Sequence, residues 1–276
     1  MKEGRFDDLV AYGGWTIDDH HPAGFRAAKL GEPPTIFHPA PSPYGIPYRC
    51  LYSKNIDNLM FAGRNASCTH AAMSSTRVMG TCSSMGQAVG TAAALAVARG
   101  LDPRGMGEHI HELQQMLLAD DCYLPWIVQE LPELTKAATI EASQGDPEPV
   151  RDGINRPVGG DSHAWECGAG DALTYTFDGP RQVEQVTLIL DSGLDRIASM
   201  SLHEDDGQFT APPDVMPMAF RVEGLVGGEW RAVITETNNY QRLVRVPIAR
   251  QLSGVRLVLD KTWGGEVSRV YAFIVS

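Results

Sequence analysis

Early in the chain stand five side chains of types that move protons and hold anions: His20, His21, Arg64, His70 and Arg77. A histidine titrates near neutral pH, so it can take the proton of an alcohol or amine while the adjoining C–H bond is oxidised. An arginine can orient a carboxylate or stabilise a developing oxyanion. Each also has a plainer reading, the histidines as surface or hydrogen-bonded structural groups and Arg77 as the ion partner of an aspartate or glutamate. His20 and His21 follow Asp18 and Asp19. Adjacent residues rarely ligate one ion together and no HxxxH partner follows, so no metal site is expected there. His109 and His111, two apart on an expected helix, point to different faces. Cys68 and Cys82 have no dithiol partner or adjacent base and read as small buried thiols.

Backbone elements must position these groups. Residues 58–62 form a short apolar run closed by Gly63, which predicts a buried strand ending at a glycine turn. Residues 83–99 predict the strongest helix of the chain, with serines as N-cap, alanines for propensity, and Gly100 and Pro103 as the stop. That places Gly86 in the first turn, where backbone N–H groups are unsatisfied and the helix dipole is positive. Gly86, Gly90 and Ala94 also make a smooth ridge, and tight packing alone would explain it. A second helix is predicted over 104–119, with Met106, Ile110, Leu113 and Leu117 on one stripe.

After about residue 134 the pattern changes. Segments 172–177, 183–190, 219–223, 229–234, 243–246, 254–259 and 270–275 alternate as strands between Gly, Pro, Asn and Asp turns. Strands without an intervening helical period predict an antiparallel sandwich. The boundary is expected near residues 128–137, giving a first domain over 1–130 and a second over 135–276.

Composition bounds the rest. A net charge of −11 argues against nucleic-acid binding, which needs clustered Lys and Arg. No apolar run reaches the length of a bilayer span, so a membrane partner is not expected. Five cysteines without a CxxC argue against a disulfide framework or structural zinc. With no basic-then-apolar leader in the opening residues, the expectation is a reducing, cytoplasmic compartment.

The stretch NLMFAGRNASCTHAAMSSTRVMGTCSSMGQAVGTAAALA (58–96), with IPYRCLYSKNIDNL (46–59) before it and LQQMLLADDCYLPW (113–126) after it, resembles the C-terminal cofactor-binding segment of the FAD-dependent oxidoreductase family. The resemblance covers most of residues 10–126 and implies FAD as cofactor and hydride transfer from a substrate C–H to the flavin. It implies that Gly63 and Arg64 pass beside the ribityl chain, and that the helix start at Gly86, Gln87 and Ala88 points at the isoalloxazine ring. His70 and Arg77 fall between those two segments, and His21 closes a polar loop that also fits the family. The resemblance thus implies His70 or His21 as base, with Arg77 or Arg64 holding substrate or negative charge. Bacterial members often sit beside carbohydrate enzymes, which implies a small-molecule, carbohydrate-derived substrate.

Members of the wider group grip the ADP half of FAD with a G-x-G-x-x-G between a strand and a helix. This sequence has none. Its nearest string, residues 168–173, lacks the third glycine and lies among strands. The expectation is an α+β multidomain chain whose first part is a partial FAD/NAD(P)-binding α/β domain, the nucleotide-gripping half being absent or on a partner chain.

Residues 150–157, then Trp165 and Glu166, then 173–177, resemble the discoidin-type or galactose-binding-like jelly roll. Loops at one rim of that fold bind sugar or lipid in some members. Trp165, Trp230 and Trp263 suit either sugar stacking or the sandwich core. The alternative function is therefore a non-catalytic carbohydrate- or protein-binding module carrying an oxidoreductase remnant.

Overall fold

A computed structural model describes residues 4–193 and 211–276. The chain divides into two compact units, Met1–Val128 and Gln129–Ser276.

The first unit is built around a long helix. β1 (Leu9–Gly13) pairs antiparallel with β4 (Tyr44–Pro47), and β2 (Ile17–His20) with β3 (Thr35–His38). α1 (His70–Thr76), α2 (Met79–Arg99) and α3 (Ile110–Ala119) follow. α2 buries Thr81, Met85, Ala88, Ala92, Leu95 and Ala96, a helical stripe that packs in one core with Leu9, Val10 and Ala11 of β1 and Leu113 and Leu117 of α3. Small side chains on this stripe let the backbones of α2 and β1 approach. Gly100 ends the helix in the left-handed conformation, φ 67°, its N–H turning back onto the final carbonyls.

α2 begins at Met79 rather than Ser83. The serines do not cap it: Ser84 Oγ donates to Thr81 O at 2.9 Å, a back-bond inside an existing helix, and reaches Tyr12 O at 3.4 Å. Residues 58–62 are not a buried strand either. They make a single bridge between Tyr52 and Met60, and Leu59 is 36% exposed. The predicted second helix opens as a 3-10 turn, Gly105–His109, before α3, and all four of its stripe residues are buried.

The second unit is one antiparallel sheet folded upon itself. α4 (Glu133–Ala137) and β5 (Thr139–Ala142) lead to β6 (Trp165–Cys167), β7 (Ala172–Leu190), β8 (Pro217–Val226), β9 (Glu229–Glu236), β10 (Leu243–Thr262) and β11 (Ser268–Val275). The strand order is β6-β11-β7-β10-β8-β9, with β5 on β7. Four of the expected short strands are two long bent ones, β7 and β10. Their pairing slips between Pro247 and Arg250 and again between Leu252 and Gly254, and those irregularities turn the sheet. The early half of β7 pairs with β5 and the late half of β10, and the late half of β7 pairs with β11 and the early half of β10. Two layers result, an antiparallel β-sandwich. Tyr175 from one layer meets Phe273 from the other with ring centroids 4.9 Å apart, inside a core that holds Trp165, Leu188, Phe220 and Leu257. Among the described residues no helix is long and apolar enough to cross a membrane.

Candidate functional site

β2 and α1 bring the polar side chains of the first unit together. Thr69 caps α1, its Oγ1 accepting from Ala72 N at 3.2 Å, so His70 stands at the first helical position. His70 Nε2 lies 2.9 Å from Asp19 Oδ1. Arg77 stands at the other end of α1, and its Nη2 donates to both the carbonyl and Oδ2 of Asp18, at 3.1 Å each. Successive residues of one strand therefore hold the two ends of one short helix. The register of β2 is set by β3, with Asp18 opposite Phe37 and Asp19 opposite Ile36. Asp18 Oδ2 also meets His20 Nε2 at 3.1 Å, while its Oδ1 is buried without a hydrogen-bond partner.

His21 is placed differently. Its Nδ1 accepts the backbone N–H of Ala23 at 3.0 Å and its Nε2 lies 2.6 Å from Glu32 Oε2. Both ring nitrogens are engaged in holding the turn after β2. Neither Asp18 nor Asp19 was expected in the site. Their partners are 59 and 51 residues away, and only the alternation of a short Asp-Asp strand beside histidines signals them.

The glycine elements meet at the start of α2. Gly63 has φ 70°, a conformation side chains rarely adopt, and a Cβ there would sit 3.4 Å from both Cβ and Sγ of Cys82. Its turn thus lies against the first turn of α2. No side chain caps that helix end, Met79 is 76% exposed, and a Cβ on Gly80 would meet open space. Arg64 is exposed beside the Gly63 turn. Gly86, Gln87 and Ala88 lie elsewhere than at the helix start, because a helix beginning at Met79 puts Gly86 seven residues, about 10 Å, along the axis. Their N–H groups fall within the helical hydrogen-bond ladder. Gly86 and Gln87 are exposed, whereas Ala88 is fully buried in the core. The N–H groups available to an anion belong instead to Met79, Gly80 and Thr81. Bare glycine backbone, an uncapped helix end and nearby arginine form a donor set that fits the anionic oxygens of a flavin nucleotide.

Beside this region opens a cavity of about 940 Å3, lined mainly by apolar groups including Phe6, Tyr44, Ile46, Ala72 and Met85. Tyr44 OH donates to Ser75 Oγ at 2.6 Å, and Ser75 Oγ donates to Trp15 O at 2.6 Å. Burial is the main cause that raises the Tyr44 phenol, and burial likewise pushes up the Cys50 thiol on the cavity wall. Both groups are held neutral at physiological pH. Among the described residues no group of three or more His, Cys, Asp or Glu is arranged to hold a metal ion.

In the second unit the tryptophans are occupied. Trp165 is 1% exposed and its Nε1 donates to Gln144 O at 2.7 Å. Trp263 donates to Asn239 O at 2.7 Å, and Trp230 lies under the Arg256 guanidinium at 4.5 Å.

Residues 1–117 match the model of the FAD dependent oxidoreductase family. Among curated proteins no relative matches the chain. The solved structures it is similar to include carbohydrate-binding modules. A family 32 module from Streptococcus pneumoniae EndoD is 14% identical, with 50% of this chain and 94% of that one covered at a TM-score of 0.38. The family 32 module of C. perfringens NanJ, solved with galactose, is 10% identical over 51% of this chain and 93% of its own, TM-score 0.37. A GH31 CBM32-2 module bound to GalNAc is 10% identical over 50% and 97%, TM-score 0.39.

Proposed function

We propose that the first unit is the flavin-facing portion of an FAD-dependent oxidoreductase, the grip on the ADP half of FAD coming from a G-x-G-x-x-G that this sequence does not contain. The observation that carries this reading is the match of residues 1–117 to that family. The Gly63 turn against the uncapped start of α2 supports it physically.

FAD, when bound, supplies the acceptor for a hydride leaving a substrate C–H bond. The N–H groups of Met79, Gly80 and Thr81, at the positive end of a 21-residue helix, favour negative charge placed before them. Gly63 lets backbone approach the cofactor where a side chain would intrude. Arg64, exposed beside that turn, would hold the anionic oxygens of the cofactor through its guanidinium. Arg77 is anchored through Nη2 alone among its described contacts, leaving the rest of the guanidinium to orient a carboxylate or an oxyanion. His70 takes the proton of the substrate alcohol or amine as the C–H bond breaks.

The test is a flavin-binding measurement on the full chain, given excess FAD alone and also co-expressed with its genomic neighbours. Visible absorbance from bound flavin is expected in at least one preparation and is expected to vanish in Gly80→Asp. An aspartate in the first turn suits the helix dipole, so the variant folds while setting a carboxylate where anionic oxygens bind. A wild-type chain without flavin in both preparations, or a Gly80→Asp chain that retains it, overturns the reading.

A further inference from the structure

Two histidines of the first unit are candidates for the proton-accepting role, and their hydrogen bonds separate them. His21 spends both ring nitrogens on its own turn, Nδ1 on Ala23 N–H and Nε2 on Glu32. A lone pair already accepting a backbone N–H is not available to a substrate. His70 has one described partner, Asp19 Oδ1, on Nε2. A carboxylate only accepts, so Nε2 carries a hydrogen, and in the neutral ring Nδ1 carries the lone pair.

We propose that Asp19 is the positioning residue of this site: it fixes His70 as the Nε2–H tautomer and aims Nδ1 outward as the proton acceptor. This rests on the flavoenzyme reading for the purpose of the device, though the hydrogen-bond assignment stands without it. The geometry favours orientation over stability as the reason for the pair. His70 is 69% exposed and Asp19 37%, and ion pairs so exposed add little to folding. The pair nonetheless sits on the one strand that also anchors Arg77 through the preceding residue, Asp18. β2 therefore works as a bracket. Its two consecutive carboxylates meet the imidazole at the start of α1 and the guanidinium at its end. His20 Nε2 meets the neighbouring carboxylate, Asp18 Oδ2 at 3.1 Å, an oxygen that also accepts from Arg77 Nη2, whereas the Asp19 oxygen has His70 as its described partner.

The test reads the ring nitrogens of His70 directly, by long-range proton–nitrogen correlation on the full chain at a pH where imidazoles are neutral. In the wild type Nδ1 is expected to be pyridine-like and Nε2 pyrrole-like, with the two signals widely separated. In Asp19→Ala the separation is expected to contract as the second tautomer becomes populated, while the His21 signals stay in place. Asp19→Asn, which keeps an acceptor oxygen, is expected to restore most of it. A wild-type His70 protonated on Nδ1, or an unchanged separation in Asp19→Ala, overturns the assignment whether or not the chain binds flavin. In a preparation that does carry flavin, Asp19→Ala is expected to lower kcat about tenfold at unchanged KM, the mark of a misaimed base. An unaltered kcat there overturns the positioning role.

Discussion

The two units each bury a core, and they differ in how much apolar surface one arm leaves exposed. In the second, the large aromatics Trp165, Tyr175, Phe220 and Phe273 are all at most 1% exposed within one core. In the first, Phe25 is 95% exposed, Phe37 68%, Leu30 66% and Trp15 55%, all on or beside the β2–β3 arm that holds the candidate site. The sandwich invests its side chains in its own stability. The first unit leaves apolar surface and singly anchored polar groups open around β2 and β3.

That contrast can be broken by substitution. The largest effect is expected for Trp165→Ala, which empties a fully buried site and removes the Nε1 bond to Gln144, costing about 3–5 kcal/mol. Denaturant unfolding followed by probes in each unit should show the loss in the second unit alone; a matching loss in the first would mean that the two do not unfold as separate cores. A smaller, pH-dependent effect comes from Cys167, whose thiol burial pushes up from 9.0 to about 12. The folded state holds that proton more tightly than the unfolded chain. The contribution is therefore complete below pH 9.0 and is lost as pH rises toward about 12. Cys167→Ala should flatten that alkaline decline, and an identical slope in both proteins would remove the thiol from the account. The smallest effect belongs to the site. Asp19→Ala should change stability by only about 0–1 kcal/mol in the same unfolding experiment. A large destabilisation would turn β2 from a bracket for function into a structural strut.

What the sequence revealed follows from the range of the interactions concerned. Alternation exposed the strands of the sandwich because each side chain reports its own face, but not that 172–177 and 183–190 are one strand, since the bend lies in pairing with β10. The end of α2 was legible from Gly100, a local requirement for left-handed backbone. Its start was not, because Ser84 looks like a cap and in fact bonds back to Thr81 and across to Tyr12, 72 residues away. His70 and Arg77 stood out in the sequence as residue types able to move a proton and hold an anion. Their carboxylate partners did not, because no local pattern announces a contact across more than 50 residues.

The tie between α4 and β11 carries a consequence for how the protein is made. Thr135 Oγ1 donates to Val275 O and accepts from Val275 N, joining positions 140 residues apart. Until Val275 has left the ribosome, that lock has no second half, and β11 is missing from beside β7. The helices of the first unit depend on nearer neighbours and can organise while synthesis continues, whereas the sandwich must wait for its final strand. During that interval the late half of β7 presents an unpaired edge, so the order of translation itself sets when this chain is most exposed to wrong pairing.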